Sequence, residues 1–545
     1  MVAKSKLPVI IVLAIVLVAA VGLYSAYAFF DVFKSNKTIY LETEAKEMQN
    51  FSKVLDDYEK TFNEYAKPYL EGGMEQKMEI SNVMLDMQAS DPQMAKILEV
   101  VKNAKIVSES KVDDKNNKNY AKIDVNIKNN NVIGAEFFYD NEKVGFGVPV
   151  IYNKYGYFNW KDKAVIEQKY GMTGIPERIP TTKEYIELFK LPREELEPIM
   201  AEYAKLYADS IQDKQVIVNK NVTFEEQGVK IDAKQITVTF TAEEYKQLMK
   251  KMADKISKDE KLQDLLYPRY EKLAELSASG ASEDLPKLTK EEFKKKFADF
   301  KKDADRSIDE QNTKEGLKMI VLADKQDNIL SRTIETENKE SGKKAAMKLV
   351  SFEDNEGKSH VVFDVAGNDN ENVNIAYVNK KEGDNNKGNV KFTFKESGSD
   401  VVMDAAFTTT KEGGKQTQDV KVNMKDNQDA SFPPIALTWK GTTTDNDKDK
   451  TRKAEYKFEL VGPQDDPSMP KKITFDVKSD EKFNLDTIKL PELNAQNSVN
   501  MATVTDEQMM QIQQEIQNGG MQFMMKNMAL FQELGIIPPN AGMVP

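Results

Sequence analysis

The sequence predicts an α+β protein: one transmembrane helix, a helical arm, then curved antiparallel β-sheets packed with helices. Three observations predict it. An uncharged run extends from Leu7 to Phe30. Period-two alternation fills much of 104–168 and 317–478, and the stretches between carry apolar residues at three- and four-residue spacing. The predicted order is a cytoplasmic tip at 1–6, an anchor at 7–30, a helical segment at 31–103 and a first α+β domain at 104–276. A linker with a charged helix follows at 277–315, then an antiparallel meander at 316–482 and a Met-rich helical tail at 483–545.

The run LPVIIVLAIVLVAAVGLYSAYAFF contains no charge. At about 1.5 Å rise per residue it is long enough for a hydrocarbon core of about 30 Å. Lys4 and Lys6 precede it, and Tyr24, Tyr27, Phe29 and Phe30 crowd its far end, as interfacial residues do. The expectation is a single-pass cell-membrane protein, N-terminus cytoplasmic and C-terminus extracellular, with the membrane as a partner through this helix. Ala26-Tyr27-Ala28 also fits a signal-peptidase site, so secretion after cleavage near Ala28 is the alternative. A lipid anchor on cysteine is excluded, because the chain has none.

The 545 residues allow more than one core. A formal net charge of -12 argues against nucleic acid as a partner, since such binding rests on neutralising phosphates with Lys and Arg. Without cysteine, stability must come from burial rather than disulfides.

After the anchor, Phe51, Val54, Leu55, Tyr58, Phe62, Tyr65 and Ala66 mark an amphipathic helix that Gly72-Gly73 ends. A second helix is expected from Met74 to Met87, and a third after Asp91-Pro92. From Ala104 the period becomes two. Ile123, Val125 and Ile127 alternate with polar residues, and Phe137, Phe138, Val144, Phe146, Val148, Val150 and Tyr152 continue the pattern up to Tyr155–Trp160. Helices resume after Pro180-Thr181-Thr182. Strands near 215–218 and 229–240 lead to Thr241, which is placed to cap a helix running from Ala242 to about Leu276.

SASGASEDLP reads as a linker. In the charged helix beyond it, Phe293, Phe297 and Phe300 fall on one side, a pattern for packing three rings on the sheet. Eleven alternating runs follow, from LKMIVLAD to KITFDVKS, joined by short polar loops.

Helical cover, a long one-faced meander and strands of the type GLKMIVLADKQDNILSRTIETEN resemble the LolA-like half-barrels of bacterial lipoprotein carriers. With the N-terminal run, the chain also resembles uncharacterised single-pass exported proteins of spore-forming Gram-positive bacteria. The resemblance spans about 104–480 and implies an apolar surface able to hold an acyl chain or apolar peptide. A hydrophobic helix stands where lipoprotein members carry a lipidated cysteine.

The tail offers Thr505 as a cap, Gly519-Gly520 as a break between two helices, and a second helix crowded with Met521, Met524, Met525 and Met528 beside Phe523, Leu530 and Phe531.

Catalytic signatures are missing from the sequence. There is one histidine, His360, no cysteine, no GxSxG and no phosphate loop. Asp445, Asp447 and Asp449 begin like a calcium loop, but Lys450 and Tyr456 occupy its glycine and glutamate positions. No catalytic, cofactor or metal residue is therefore assigned, no cofactor is expected, and the chain reads as a non-enzymatic binding protein for lipid or another apolar ligand. The alternative is a structural or assembly protein of the cell envelope, contacting wall polymer or another exported protein.

Overall fold

Each of the eleven alternating runs supplies a strand, and all of these strands join one sheet. The computed structural model describes residues 35–65, 70–87, 92–128, 130–175, 179–189, 193–277, 285–310, 316–337, 344–367, 371–396, 398–429, 433–463, 469–533 and 537. The strands are β1 Gly73–Asp86, β2 Ala104–Asp113, β3 Lys118–Ile127, β4 Asn130–Tyr139, β5 Lys143–Val148, β6 Tyr152–Asn159, β7 Val216–Glu226 and β8 Val229–Phe240. The long meander supplies β9 Leu317–Ala323, β10 Ile329–Glu337, β11 Lys344–Glu353, β12 Lys358–Ala366, β13 Asn372–Glu382 and β14 Asn385–Glu396. It ends with β15 Ser399–Glu412, β16 Lys415–Asp426, β17 Ile435–Asn446, β18 Thr451–Val461 and β19 Lys472–Leu485, and β20 Ser498–Asn500 follows. The helices are α1 Asn36–Tyr65, α2 Pro92–Lys102, α3 Lys163–Tyr170, α4 Thr182–Phe189 and α5 Arg193–Ser210, then α6 Ala242–Lys258, α7 Glu260–Ser277, α8 Lys290–Glu310, α9 Asp506–Lys526 and α10 Met528–Glu533.

The pairings form one 20-stranded ladder. From β20 it passes through β6, β5, β4, β3 and β2 to β1, crosses to β19, and descends in order to β7. Among the described residues no ladder joins β7 to β20. Every pair is antiparallel except β20 with β6. Tight turns suit the hairpins. Gln227 and Gly228, both at positive φ, connect β7 to β8 in the manner that right-twisted strands prefer.

This architecture corrects the expected fold class. The sheets do not divide into separate curved units of the LolA-like half-barrel type, because β1 pairs with β19 along nearly its whole length and fuses the early hairpins to the late meander. The segment expected as a helix from Met74 to Met87 is that joining strand. The expected anchor at 7–30 lies outside the described residues. Among the described residues no helix is long and apolar enough to cross a membrane, a correction to the expected single-pass localisation and to membrane partnership through a helix.

One face of the ladder is apolar across most of its width. Tyr377, Val390, Ala405, Val422, Leu437, Leu460 and Ile473 stand opposite one another on successive strands. A parallel row holds Phe407, Val420, Trp439, Phe458 and Phe475, with Phe458 stacked 5.0 Å from Phe475 and 6.3 Å from Trp439. A third row, Tyr456, Val477, Ile80, Ile106, Val125 and Ile133, carries the same face across the β19–β1 junction. On the reverse face the middle of the meander is polar, with the row Asn389, Ala406, Lys421, Thr438 and Glu459 and the Lys440–Asp419 pair at 3.0 Å, while toward β7–β13 it carries a second buried cluster of Phe224, Ala233, Leu330, Val350, Phe352 and Val362.

Helices cover this apolar face at its β7–β10 end. Ile236, Val238, Phe240, Met319, Val321 and Ile334 pack against Tyr40, Tyr203, Tyr207, Leu248, Met249 and Met252 from α1, α5 and α6. Burial of side chains this size contributes about 1.5–3 kcal/mol each before entropy is counted. Thr241 caps α6 as its position predicts, accepting from the Glu244 amide at 3.3 Å while Glu244 accepts from the Thr241 amide at 2.9 Å. The helix does not reach Leu276 unbroken. Asp259 accepts from the Leu262 amide at 3.0 Å and starts α7 afresh. Phe293 of α8 meets Tyr267 and Tyr270 of α7 at 5.5 and 5.2 Å, so this ring packs on a neighbouring helix rather than on the sheet.

Inside this core lies a buried ion pair. Arg332 of β10 donates to Glu44 of α1 at 2.5 Å and contacts the Met319 sulfur at 3.5 Å, while the Tyr40 and Tyr207 hydroxyls share a hydrogen bond of 3.1 Å. Burial pushes the Glu44 carboxyl above its ordinary range against the pull of Arg332. The second carboxylate oxygen, Oε1, has no partner among the described residues.

A second ionic cluster ties α5 to α6 and α7. Lys255 and Lys261 donate to Glu202 at 2.5 and 2.7 Å and hold its carboxyl down at about 2. An unfolded glutamate titrates near about 4.3. The folded value is therefore the lower one, and the stabilisation is complete above about 4.3 and lost as pH falls toward 2. With the Glu202 side chain 41% exposed, solvent and salt weaken the effect. Glu202→Gln is expected to lower the urea midpoint slightly at neutral pH, a difference that closes on acidification or in high salt.

Candidate functional site

The opposite end of the same apolar face carries a cavity. Phe137 and Phe146 stand opposite each other on β4 and β5, and Phe146 in turn faces Gly156 on β6. Alternation sends Val144, Phe146 and Val148 to this side and turns Gly145 and Gly147 to the other. Phe138 fills the space over Gly145, meeting Tyr155 edge-on at 5.5 Å and 86°. A Cβ on Gly145 would lie 2.2 Å from the Phe138 ring. Gly145→Ala is therefore expected to cost about 1–3 kcal/mol through overpacking, read as a lower denaturation midpoint.

Behind that layer, the reverse side is fixed by Glu136, which accepts from Tyr155 at 2.5 Å and Tyr120 at 3.2 Å. Burial and the Glu136 charge both push these phenols up, keeping them protonated donors. The strands beneath the cavity thus form a rigid floor.

The C-terminal segment builds the walls and roof. Ser498 and Asn500 pair with Tyr155 and Tyr157 of β6. The Met501 amide donates to the Tyr157 carbonyl at 2.8 Å, and the Tyr170 hydroxyl of α3 donates to the Met501 carbonyl at 2.9 Å. Lys169 reaches the Val504 carbonyl. Thr505 then caps α9, accepting from the Gln508 amide at 3.2 Å. The helix crosses the β5–β6 turn, pinned by Lys154–Glu515 at 3.3 Å, and its far end is held through α10 by Lys128–Glu533 at 2.6 Å.

Gly519-Gly520, expected to separate two helices, lies within the continuous α9. The glycine serves proximity here: a Cβ on Gly519 would sit 1.8 Å from the Ile151 carbonyl oxygen, so only a residue without a side chain lets the helix lie this close to the turn.

The space measures about 670 Å³ and is lined by Phe137, Val144, Phe146, Val148, Tyr152, Phe158, Ile166, Met172, Met501, Ile512 and Ile516, with Lys154 at its polar margin. It is almost wholly hydrocarbon. Phe146 is 53% exposed, which is unusual for phenylalanine over a formed cavity and marks an open mouth. The Tyr152 hydroxyl is buried without a hydrogen bond of good geometry, and burial pushes its pKa up, so it stays neutral.

The structure gathers six residues of the alternating set, Phe137, Val144, Phe146, Val148, Tyr152 and Phe158, on the cavity side and sends Phe138 and Tyr155 behind the floor. It does not bring the methionine cluster in. Met521, Met524 and Met525 face outward, 57%, 40% and 62% exposed, while Ile512 and Ile516, one turn apart in the first half of α9, point at the sheet. Met501, Tyr170 and Met172 carry no signal in the sequence, because pairing with distant elements recruits them.

The remaining residues singled out from the sequence lie elsewhere. His360 is buried in an interior strand, its Nε2 2.9 Å from Asp354 and its ring stacked 4.7 Å from Phe352. Asp445 is held by Arg452 at 2.6 Å, and Asn446 bonds Asp449 at 2.7 Å. Among the described residues no group of three or more acidic or histidine side chains is placed to hold a metal ion.

No family model matches the chain, and no curated protein matches it. Solved structures similar to it include Acinetobacter baumannii OccAB4, at 5% identity and a TM-score of 0.23, covering 76% of this chain and 97% of that one. They also include the loop L8 deletion mutant of OmpT, an outer membrane protein of Vibrio cholerae, at 8% and 0.17, covering 75% and 97%. A third is a TodX deletion mutant described as a monoaromatic hydrocarbon channel, at 8% and 0.17, covering 75% and 89%. The expected resemblance to LolA-like carriers and to exported proteins of Gram-positive spore formers is corrected, since no family model matches and the single ladder departs from a half-barrel.

Proposed function

We propose that this chain binds a hydrocarbon ligand, an acyl chain or a comparable apolar molecule, in the cavity between β4–β6 and α9. The observation that carries the reading is a formed cavity of about 670 Å³ whose walls are side-chain carbon, within the usual range for small-molecule pockets of about 300–1,000 Å³. Each methylene transferred from water to such a lining gains about 0.8 kcal/mol. An acyl chain therefore supplies its own affinity without a dedicated polar anchor, and Lys154 and the Tyr152 hydroxyl supply the polar contacts at the margin.

Native purification followed by solvent extraction and mass spectrometry tests the reading directly. A stoichiometric lipid or hydrocarbon is the expected result, and an empty protein that also fails to bind fluorescent fatty acid contradicts it. Ile516→Lys puts a cation over the cavity at a position 41% exposed in α9, where the fold tolerates it. It is expected to weaken fatty-acid binding at least tenfold with little change in denaturation midpoint.

The charged reverse face, with Lys421, Glu459 and the Lys440–Asp419 pair, favours a second reading in which the sheet contacts another protein or a polymer. Recovery of one defined partner by the intact protein, lost on reversing Lys421 and Lys440, distinguishes it.

A further inference from the structure

The cavity does not stand alone on its face. Along β4 the Phe137 side continues to Ile133, and from Ile133 the row through Ile106, Ile80 and Val477 leads without interruption to Tyr456 and the rings of β17–β19. At the far end, Val365 of β12 stands opposite Met347, which packs against the helix-covered core. The helices therefore roof the two ends of one apolar face: α3 and α9 over the cavity, α1, α5 and α6 over β7–β10. Between these roofs, none of the described residues of 363–473 is buried. Ile123, Ile133 and Ile375 are 44%, 54% and 37% exposed. An apolar sheet face left open in this way lacks the second layer that stable domains require.

We infer that this uncovered face is an extension of the cavity and holds further acyl chains, so that the ligand is a lipid of several chains or a row of lipids rather than one small molecule. The inference rests on the apolar-ligand reading of the cavity. Three observations select this occupant. The face is continuous with the cavity through shared rows of side chains. Its rows are uncharged, whereas Lys421, Thr438 and Glu459 lie on the reverse side. It is also recessed: a helix with its side chains is about 10 Å across, so the roofs at both ends stand above the bare strands and keep a flat partner, including a second copy of the sheet, from seating squarely on them.

The dimensions agree. From β12 through β19 to β3, at about 4.8 Å per strand, the recess runs about 50 Å. A bilayer core of about 30 Å holds two chain lengths, so the recess equals about three acyl chains laid end to end.

The chain contains two tryptophans, and they report separately on the two regions. Trp160 meets Phe158 of the cavity edge-on at 5.9 Å, and Trp439 stands in the middle of the recess. Trp160→Phe and Trp439→Phe each leave one reporter. Titration with fatty acid brominated along its chain, which quenches indole on contact, is expected to quench both single-tryptophan proteins, with more than one chain bound per protein. Val422→Asp, on the recess side, is expected to abolish quenching of Trp439 while leaving that of Trp160 intact, and Lys421→Asp, one residue away on the reverse face, is expected to change neither. Quenching of Trp160 alone overturns the extension and leaves the cavity reading standing. Absence of quenching in both overturns the two together. A doubling of molecular mass in light scattering, with Trp439 shielded from bromolipid, overturns the extension in favour of a second copy.

Discussion

Arg332→Leu will lower the stability of the protein by about 3–5 kcal/mol, the usual cost of stripping one partner from a buried ion pair. Glu44 is fully buried in α1, its Oε1 lacks a partner among the described residues, and Arg332 donates to it at 2.5 Å. Removing the guanidinium leaves a carboxyl that must either stay charged in hydrocarbon or take up a proton. Burial already pushes Glu44 upward in the parent, and without the guanidinium it rises further, so protonation is the outcome and the variant is expected to regain more stability than the parent as pH falls. The double variant Glu44→Leu, Arg332→Leu should recover most of the loss, because two apolar side chains suit the surrounding Tyr40, Tyr207 and Met319. Urea titrations at two pH values give all three comparisons. Equal stability of the single variant and the parent would show that the pair does not hold α1 to the sheet.

Gly519→Val should produce the largest change in ligand binding of any substitution outside the cavity wall. The new Cβ meets the Ile151 carbonyl, a backbone atom in a tight turn that has nowhere to move. The helix must lift instead. It then withdraws Ile512 and Ile516 from the cavity and breaks Lys154–Glu515. Fatty-acid binding is expected to fall at least tenfold, and α9 should become the first site of limited proteolysis, since an unpacked helix opens locally at low cost. The sheet and the β7–β10 core, remote from this contact, should unfold as before. Gly520→Ala is the matching control, because nothing lies within 4 Å of its absent side chain.

The strands of the meander are legible because their residues alternate without exception along runs such as Val390, Phe392 and Phe394. That pattern is a property of the segment alone. The failure at Met74 to Asp86 has a physical cause. Its Met, Glu, Gln and Lys favour helices intrinsically, and the Met74–Met78 spacing fits one, yet its partner Val477 lies some four hundred residues away, and pairing with β19 overrides the local preference. Asn82, in the left-handed region at φ 56, marks the irregularity where the register shifts. At the candidate site, the sheet half was visible in the order Phe137, Val144, Phe146, Val148. The roof was not, since Met501 and Ile516 owe their place to a three-residue parallel strand and one close glycine contact.

The joining of β1 to β19 also sets the order in which the molecule can be completed during synthesis. The hairpins of β1–β6 leave the ribosome early, but the long side of β1 has no strand to meet until residues 472–485 have been made. Until then its edge is an open template, exposed for the time taken to translate most of the chain, and closing so long a loop is slow for any sheet protein. Its alternate residues Glu75, Lys77 and Glu79 place charge along that waiting edge, a feature that discourages pairing with strangers. The half-made protein is thereby protected until its own last long strand arrives.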